Sequence, residues 1–314
     1  MRVLFCGRGF PEAFTMLKER LAQDAVIACA EDRVAESIAG VDVVIPAMCR
    51  ITRTIIEAGN MRLIHQWGAG LEGVDIEAAR ERGIWVANVP TGSTYNAESV
   101  ADLALLLILA LTRKLPVAQA NVAAGLLGAP MGRLLGQCTV CLFGLGNIAR
   151  SLARRLRGFG TRLIGISRHP QPDLARELVL VDCFAADDRL RALAQSDVVV
   201  LCLPLTAETR GCMGAAELAA MPRGSFVVNV GRGALIHYDA LVAALANGHL
   251  GGAGLDVFWQ EPIGPGDPLL RLPNVIATPH IGGITRQSYQ AILDALVANI
   301  ERLRRNEPPV NRVA

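Results

Sequence analysis

The sequence has few aromatic residues and no long apolar run. Phe, Trp and Tyr make up 4% of its 314 residues, which argues against surfaces that stack nucleic-acid bases. The longest apolar run, residues 103–111, lies between Asp102 and Arg113 and is too short to span a bilayer. The N-terminus has one basic residue before a short apolar run, which is typical of a strand and not of a signal peptide. We therefore expect a cytoplasmic protein without a membrane partner.

An excess of one charge and a metal-binding pattern are also missing. Lys and Arg total 31 against 29 acidic residues, so nothing favours a nucleic acid or an anionic membrane as partner. The eight cysteines and five histidines are scattered. Cys138 and Cys141 form a C-x-x-C in a predicted strand, where positions i and i+3 point to opposite faces. We expect small buried hydrophobic side chains there and no bound metal.

Hydrophobic residues make up 52% of the chain and charged residues 19%. A chain of this length and composition predicts two folded domains. In its first part, short β-rich runs alternate with helix-like runs such as 11–22 and 76–82. The predicted strands there are 2–6, 25–28, 41–46, 62–66 and 83–87. This alternation is typical of a parallel sheet with helices on both faces.

The second part begins with an apolar helix predicted over 97–115 and a loose, glycine-containing stretch over 121–136. Six predicted strands follow, at 139–143, 162–167, 198–203, 225–230, 252–257 and 275–278. Six is the number of a complete dinucleotide-binding domain. A last helix, about 285–305, is expected to return to the first domain. The predicted fold class is α/β with two doubly wound parallel sheets: a Rossmann domain, 96–284, and a discontinuous flavodoxin-like domain, 1–95 plus 285–314.

A glycine loop joins the first strand and first helix of the predicted Rossmann domain. Gly144-x-Gly146-x-x-Ala149 follows the strand 139–143. Gly144 permits the tight turn, Gly146 lets the backbone approach a pyrophosphate, and Ala149 lets helix and strand pack closely. The helix N-terminus would bind the pyrophosphate. Gly7-Arg8-Gly9 also follows a strand but has Glu12 at the third position, so we interpret it as a turn.

The end of the next strand bears on the choice of cofactor. In the usual NAD arrangement an acidic residue there binds the ribose 2′-hydroxyl. Here the strand ends in Ser167-Arg168-His169 and has no carboxylate. A guanidinium offers forked donors suited to a phosphate. The sequence therefore predicts NADP, with NAD as the alternative if Arg168 is only a surface residue.

Three polar residues follow later strands of the same domain. Arg232, Glu261 and His280 each come just after a predicted strand, among apolar residues or glycines. An open α/β sheet binds its ligand at the carboxyl ends of its strands. We therefore expect these three side chains at the active site.

Six motifs along the chain carry a resemblance to a known family. They are Gly144–Ala149, Asn229-Val230-Gly231-Arg232-Gly233, Leu255-Asp256-Val257-Phe258-x-x-Glu261-Pro262, Thr278-Pro279-His280-Ile281-Gly282-Gly283, Gly68-Ala69-Gly70 and Asn96-Ala97-Glu98-Ser99-Val100-Ala101-Asp102. In these motifs the chain resembles the D-isomer-specific 2-hydroxyacid dehydrogenase family over essentially its whole length. It departs from the family pattern at the missing carboxylate after the second strand and at Asp102, where the family usually has Glu.

The resemblance implies roles for these residues. Arg232 would bind the substrate carboxylate and polarise the carbonyl. His280 would be the acid in reduction and the base in oxidation, and Glu261 would pair with it and favour its protonated form. Backbone N–H groups of Gly68, Ala69 and Gly70 would bind the carboxylate. The implied cofactor contacts are Gly144, Gly146, Asn147, Ile148, Ser167, Arg168, Pro204, Thr209, Val230, Gly231, Asp256 (to the nicotinamide amide), Gly282 and Gly283.

The predicted function is hydride transfer between NADP(H) and a small 2-oxo or D-2-hydroxy acid, with glyoxylate or hydroxypyruvate as substrate. NAD-linked oxidation of phosphoglycerate is one alternative. Another is a dinucleotide-sensing, corepressor-like binding protein, against which the near-neutral charge and the lack of interaction tails argue. Trp67 either limits the substrate pocket to short acids or packs in the core. The family also implies a homodimer formed through the nucleotide-binding domain.

Overall fold

The computed structural model describes all 314 residues, Met1–Ala314. The strands are β1 (Arg2–Cys6), β2 (Ala25–Cys29), β3 (Val43–Ile45), β4 (Leu63–His65), β5 (Trp85–Ala87), β6 (Thr139–Phe143), β7 (Arg162–Ser167), β8 (Asp182–Ala185), β9 (Val198–Leu201), β10 (Ser225–Asn229), β11 (Leu250–Leu255) and β12 (Val275–Ala277). The helices are α1 (Pro11–Arg20), α2 (Val34–Ser37), α3 (Arg53–Ala58), α4 (Ile76–Glu81), α5 (Asn96–Thr112), α6 (Leu115–Ala123), α7 (Asn147–Arg157), α8 (Pro172–Leu178), α9 (Arg189–Leu193), α10 (Ala215–Ala220), α11 (Tyr238–Ala246) and α12 (Arg286–Arg304). None of these helices is long and apolar enough to cross a membrane.

The chain divides into two compact units. The first consists of Met1–Asn96 and Ile284–Ala314, and the second of Ala97–Gly283. The sequence prediction had placed the boundaries between residues 95 and 96 and between 284 and 285.

The first unit contains a five-stranded sheet in the order β2-β1-β3-β4-β5, and all its strand pairs are parallel. This is the flavodoxin-like order. On one face, α12 contributes Tyr289, Ile292 and Leu296 to a core that also contains Phe5 and Leu63. The C-terminal helix belongs to this unit because its apolar side chains complete that core.

The second unit contains a seven-stranded parallel sheet in the order β12-β11-β10-β9-β6-β7-β8. Counted from β6, this is the Rossmann order 3-2-1-4-5-6 with one further strand, β12, at the end. The prediction of six strands was wrong because it missed β8. That strand is four residues long at the sheet edge, and only Phe184 in it is buried. A short, only partly buried edge strand lacks the apolar run that marks its neighbours.

The apolar helix of the second unit is shorter than predicted. The prediction of one helix over 97–115 was wrong at its end, because α5 stops at Thr112 and α6 begins at Leu115. Lys114 between them has a φ of 52°, and Pro116 cannot donate to a continued helical ladder. The loose stretch predicted from residue 121 also begins within α6, which ends at Ala123.

The C-x-x-C motif is distributed over two cores. Cys138 lies just before β6 and not within it, which corrects the prediction that both cysteines are in the strand. Its side chain contributes to the core on one face of the sheet, and that of Cys141 to the core on the other face. No group of three or more His, Cys, Asp or Glu side chains could hold a metal ion.

Candidate active site

The glycine loop after β6 has the shape that a dinucleotide requires. Gly144 has a φ of 94°, and a Cβ there would lie 3.0 Å from the carbonyl oxygen of Cys202. Gly146 precedes the first turn of α7, and a Cβ on it would meet nothing within 4 Å. Ala149 is fully buried. Open space before a helix N-terminus accommodates a pyrophosphate near backbone N–H groups, so these residues fit the cofactor.

The end of β7 lies close to the loop after β9. Arg168 is exposed, and the Thr206 hydroxyl and, less strongly, the Arg168 charge lower the pKa of Glu208. In that loop, the Thr209 hydroxyl donates to the Pro204 carbonyl oxygen over 2.7 Å. Three predicted cofactor residues, Arg168 after β7 and Pro204 and Thr209 after β9, therefore lie at two strand ends of the same sheet.

His280 and Glu261 form a hydrogen-bonded pair. The distance from His280 Nδ1 to Glu261 Oε2 is 2.6 Å, and the side chains are 27% and 16% exposed. Glu261 Oε1 accepts from the Phe258 N–H over 2.9 Å. Burial favours the neutral carboxyl, but the His280 hydrogen bond and charge, the Phe258 N–H and the Arg232 charge together lower the pKa of Glu261. An ionised Glu261 orients the ring with a proton on Nδ1.

Asp256 supports the loop that carries His280. Its side chain, in a residue 2% exposed, accepts hydrogen bonds from the Thr278 hydroxyl and the N–H groups of Ile281 and Gly282, over 2.6–2.8 Å. Burial raises the pKa of Asp256 and these three donors oppose that rise. His280 has a φ of 55°, a strained conformation that persists only where the surroundings fix it. The hydrogen bonds to Asp256 provide that support.

Gly282 lets Asp256 approach the histidine loop. A Cβ at Gly282 would lie 2.9 Å from Asp256 Oδ2 and 3.3 Å from Val100 Cγ2. Any larger residue would therefore displace the carboxylate or the loop. The predicted cofactor residues Asp256 and Gly282 are thus in direct contact with each other.

Arg232 follows β10 in a tight turn. Its Nη1 donates to the Gly231 carbonyl oxygen over 2.8 Å. Asn229, which ends β10, accepts from the Gly231 N–H and donates to the Arg232 carbonyl oxygen. The half-buried guanidinium is close enough to Glu261 to lower the pKa of that carboxyl. The second unit therefore brings together the three residues predicted to carry the chemistry.

Backbone packing fixes the spacing between the Arg232 turn and the Glu261 loop. A Cβ on Gly233 would lie 2.1 Å from the carbonyl carbon of Phe258. The Trp259 indole N–H donates to the Ile236 carbonyl oxygen over 2.7 Å, and its ring stands edge-on to Tyr238. We call this contact of Gly233 and Ile236 with Phe258 and Trp259 the loop lock.

In the first unit, three hydrogen bonds orient the loop formed by Gly68, Ala69 and Gly70. Their carbonyl oxygens accept, in that order, from the Val89 N–H, the Asn88 side chain and the Gln66 side chain, over 3.0, 2.7 and 2.6 Å. Because a trans peptide points its N–H opposite to its C=O, the N–H groups of Ala69 and Gly70 point away from these anchors. That orientation suits an anion.

Trp67 beside this loop packs in the core. It is 7% exposed, and its ring makes edge contacts with Phe5 and Tyr289, with centroids 5.9 and 5.5 Å apart. Of the two predicted roles, the structure supports core packing.

Sequence reasoning missed the residues that position the site. Asn229, Gln66 and Asn88 hold backbone turns, and Trp259 holds the loop lock. Asn88 and Asn229 stand at strand ends, where Asn side chains commonly bind nearby backbone. Trp259 carries no comparable mark in the sequence.

Comparisons with known proteins identify the family of this chain. The family model described as D-isomer specific 2-hydroxyacid dehydrogenase, NAD binding domain, matches residues 105–282. That range is more than half of the chain, and the chain belongs to this family. It is an oxidoreductase that uses a nicotinamide dinucleotide and acts on the CH–OH group of D-2-hydroxy acids.

Curated relatives match most of the chain. The hydroxypyruvate reductase of Thermotoga maritima is 37% identical over 279 residues, covering 86% of this chain and 87% of that protein. The glyoxylate reductase of Korarchaeum cryptofilum is 35% identical, covering 82% and 77%. The D-3-phosphoglycerate dehydrogenase of Methanocaldococcus jannaschii is 33% identical, with 96% of this chain covered but only 57% of that protein.

A solved structure shares the fold along the full length. The TT0316 protein from Thermus thermophilus superposes with a TM-score of 0.86 at 34% identity, covering 100% of both chains. The two parallel sheets described above are therefore the architecture of a known structure.

Proposed function

We propose that this enzyme reduces a small 2-oxo acid, glyoxylate or hydroxypyruvate, with NADPH. The observation that carries the chemistry is the His280–Glu261 pair with the Arg232 guanidinium beside it. The similarity to a glyoxylate reductase and a hydroxypyruvate reductase supports the choice of substrate.

Arg232 and His280 act on different groups of the substrate. The guanidinium binds the carboxylate through two parallel hydrogen bonds and polarises the neighbouring carbonyl. In reduction, His280 donates a proton from Nε2 to the carbonyl oxygen, while Glu261 keeps Nδ1 protonated and stabilises the ring's charge. In oxidation the same nitrogen accepts the proton. When bound, the reduced nicotinamide supplies the hydride.

The other predicted contacts bind and orient. The first turn of α7, with Gly144, Gly146, Asn147 and Ile148, holds the pyrophosphate. Ser167 and Arg168 hold the 2′-phosphate, and Pro204, Thr209, Val230, Gly231, Asp256, Gly282 and Gly283 line the rest of the cofactor site. The outward N–H groups of the loop Gly68-Ala69-Gly70 bind the substrate carboxylate.

Substitution of His280 tests the chemistry. We expect His280→Asn to lower kcat/KM for glyoxylate or hydroxypyruvate by roughly 10²- to 10⁴-fold, because it removes the proton donor. Binding of NADPH, followed by its fluorescence, should persist. His237→Asn, an exposed histidine just after the Arg232 turn, is the matched control. Unchanged turnover in His280→Asn would refute this assignment.

The cofactor preference is tested separately. The unchanged enzyme should have a higher kcat/KM with NADPH than with NADH. Arg168→Ala should raise the KM for NADPH roughly 10-fold or more and leave that for NADH unchanged, because it removes a charge-assisted contact to the 2′-phosphate. Arg176→Ala, on the exposed side of α8, is the control. A clear preference of the unchanged enzyme for NADH contradicts the proposal.

The similarity to a D-3-phosphoglycerate dehydrogenase gives a second candidate function, NAD-linked oxidation of a phosphorylated hydroxy acid. A panel of glyoxylate, hydroxypyruvate, pyruvate, phenylpyruvate and 3-phosphoglycerate, run with both cofactors, separates the two. Turnover of 3-phosphoglycerate with NAD, and none of the short 2-oxo acids, would favour the second candidate.

We also propose that the enzyme is a cytoplasmic homodimer. All eight cysteines are unpaired, which suits a reducing compartment. The segment after α6 exposes large apolar side chains, among them Leu127 at 96% and Met131 at 89%. Exposed apolar side chains concentrated in one segment are typical of an interaction surface, and the family expectation makes a second copy its partner.

A further inference from the structure

Three cysteines lie close together in the first unit, far along the chain from the catalytic residues. Cys6 ends β1, Cys29 ends β2, and Cys49 follows β3. All three contribute to the same core, and they are 0%, 6% and 4% exposed. The Sγ of Cys49 lies 3.2 Å from the position of a Cβ on Gly7, directly after Cys6. The mechanism proposed above uses none of these thiols.

Cys6 and Cys29 have the geometry of a bridgeable pair. They are direct register partners in the parallel pairing of β1 with β2. Register partners on adjacent parallel strands point to the same face, and neighbouring strands are about 4.8 Å apart. Disulfides join Cα atoms about 4.4–6.8 Å apart. The strand spacing therefore lies within the range that a disulfide spans.

The surroundings give the three sulfurs different character. The Cys6 thiol, then the Gly7 N–H, the Ser37 hydroxyl and the Arg8 charge, outweigh burial and lower the pKa of Cys29 to about 6. The hydrogen bond to Cys29 and burial raise the pKa of Cys6. Burial, Glu31 and Cys29 raise the pKa of Cys49 to about 12. A lowered pKa favours the thiolate, which is the attacking form of a thiol, and so favours Cys29 among the three as the attacking sulfur.

Cys29 is the more exposed cysteine of the pair, at 6% against 0% for Cys6. The strand pair ends at Gly7, and the next residues, Arg8 and Gly9, are exposed. A Cβ on Gly9 would meet nothing within 4 Å, so the turn is open at this residue. A cysteine with so little exposure favours a molecule of peroxide size over a bulky disulfide as its oxidant.

We propose that Cys29 and Cys6 are a hydroperoxide-reactive thiol pair, in which Cys29 is the attacking sulfur and Cys6 the resolving one. The Cys29 thiolate attacks one peroxide oxygen, the O–O bond breaks, and a sulfenic acid and hydroxide form. The Cys6 sulfur then attacks the Cys29 sulfur and expels the hydroxyl, which leaves as water with the Cys6 proton. Two electrons pass from the two sulfurs to one peroxide, and a disulfide forms.

The experiment is peptide mapping of the full-length protein after exposure to hydrogen peroxide. Trypsin places Cys6, Cys29 and Cys49 on three different peptides, residues 3–8, 21–33 and 34–50. We expect a cross-link between peptides 3–8 and 21–33 that a dithiol reductant reverses, and a loss of two titratable thiols from the eight. No variant is needed for this measurement, so a folding defect cannot obscure it.

Two variants test the assigned roles. Cys6→Ser should stop the cross-link and leave Cys29 as a sulfenic acid that a dimedone-type probe labels, because the resolving sulfur is gone. Cys29→Ser should abolish both cross-link and labelling. Cys212→Ser, a half-buried cysteine whose pKa burial raises to about 11, is the control and should react like the unchanged protein. A cross-link from Cys29 to Cys49, or peroxide labelling spread evenly over the eight cysteines, overturns the proposal.

Discussion

His65 shows how a single buried polar residue ties the C-terminal segment to the first unit. It is fully buried, and its Nδ1 donates to the Gln66 carbonyl oxygen over 2.9 Å. Its Nε2 accepts from the Asn299 side chain over 2.9 Å, and Asn299 exchanges two hydrogen bonds with the backbone of Val310. With one nitrogen donating and one accepting, the ring is neutral.

This arrangement predicts a loss of stability in acid. Burial lowers the pKa of His65 from its ordinary 6.5 to about 4. Between these two pH values, the unfolded chain therefore binds a proton at His65 that the folded chain does not. The stability linked to the neutral His65 is fully present above about pH 6.5 and falls as the pH drops towards about 4, by up to about 3 kcal/mol.

Chemical denaturation of the unchanged protein and of His65→Gln at several pH values checks this. The variant should be less stable at neutral pH and should lose less stability between about pH 6.5 and about pH 4.5. His169→Gln, an exposed histidine, should follow the unchanged protein. Equal pH slopes for His65→Gln and the unchanged protein would show that the prediction is wrong.

At the scale of structural elements, the loop lock determines the position of Arg232 relative to Glu261. The backbone of Gly233 is in contact with Phe258, and Trp259 reaches Ile236. The Tyr238 hydroxyl donates to Asp267 over 2.7 Å and so anchors the far end of the Glu261 loop. Rigid neighbouring elements, and not the catalytic side chains themselves, therefore set the spacing of the site.

Gly233→Ala should separate the two loops, because the new Cβ would overlap the Phe258 backbone. We expect kcat to fall roughly 100-fold, the cost of a displacement of about 1 Å in an active site. Binding of NADPH should change little. Gly264→Ala is the matched control in the Glu261 loop, because a Cβ on Gly264 would meet nothing within 4 Å. A Gly233→Ala enzyme that is folded by circular dichroism and fully active would rule out the lock.

Trp259→Phe provides a milder test of the same contact. It keeps an aromatic ring beside Tyr238 but loses the hydrogen bond to Ile236, so we expect an intermediate decrease in kcat. A kcat equal to that of the unchanged enzyme would show that the hydrogen bond does not position the loops.

At the level of the whole molecule, the segment after α6 is the main exposed apolar feature that we connect with assembly. Besides Leu127 and Met131, it exposes Leu126 at 56% and Leu134 at 72%. When a second surface covers such side chains, the removal of apolar area from water stabilises the assembly by about 25 cal/mol per Å².

Sedimentation should show a dimer of the unchanged protein. Leu127→Glu combined with Met131→Glu should shift it towards monomer, because two carboxylates would have to be desolvated in the interface. Leu190→Glu, on α9 and 44% exposed, should leave the dimer intact. A monomer at every concentration of the unchanged protein contradicts the assembly that we propose.

Much of the fold could be predicted from local rules. Strands 2–6, 139–143 and 162–167 were predicted with the bounds that the structure has. Buried parallel strands are nearly continuous apolar runs, and such runs are visible without any partner. The edge strand β8 and the break between α5 and α6 could not be read in this way. The edge strand is short and only partly buried, and the break depends on backbone conformation at Lys114.

The sequence by itself determined which residues stand at the strand ends. Arg232, Glu261 and His280 follow strands in one domain, and parallel strands bring their carboxyl ends to one edge. Only the tertiary structure decided how these residues are held. Gly282 reaches Asp256 across 26 residues of sequence, and His65 reaches Asn299 across 234. Register and loop conformation determine such contacts, because local sequence encodes periodicity and turn chemistry but not the distant atom that a side chain meets.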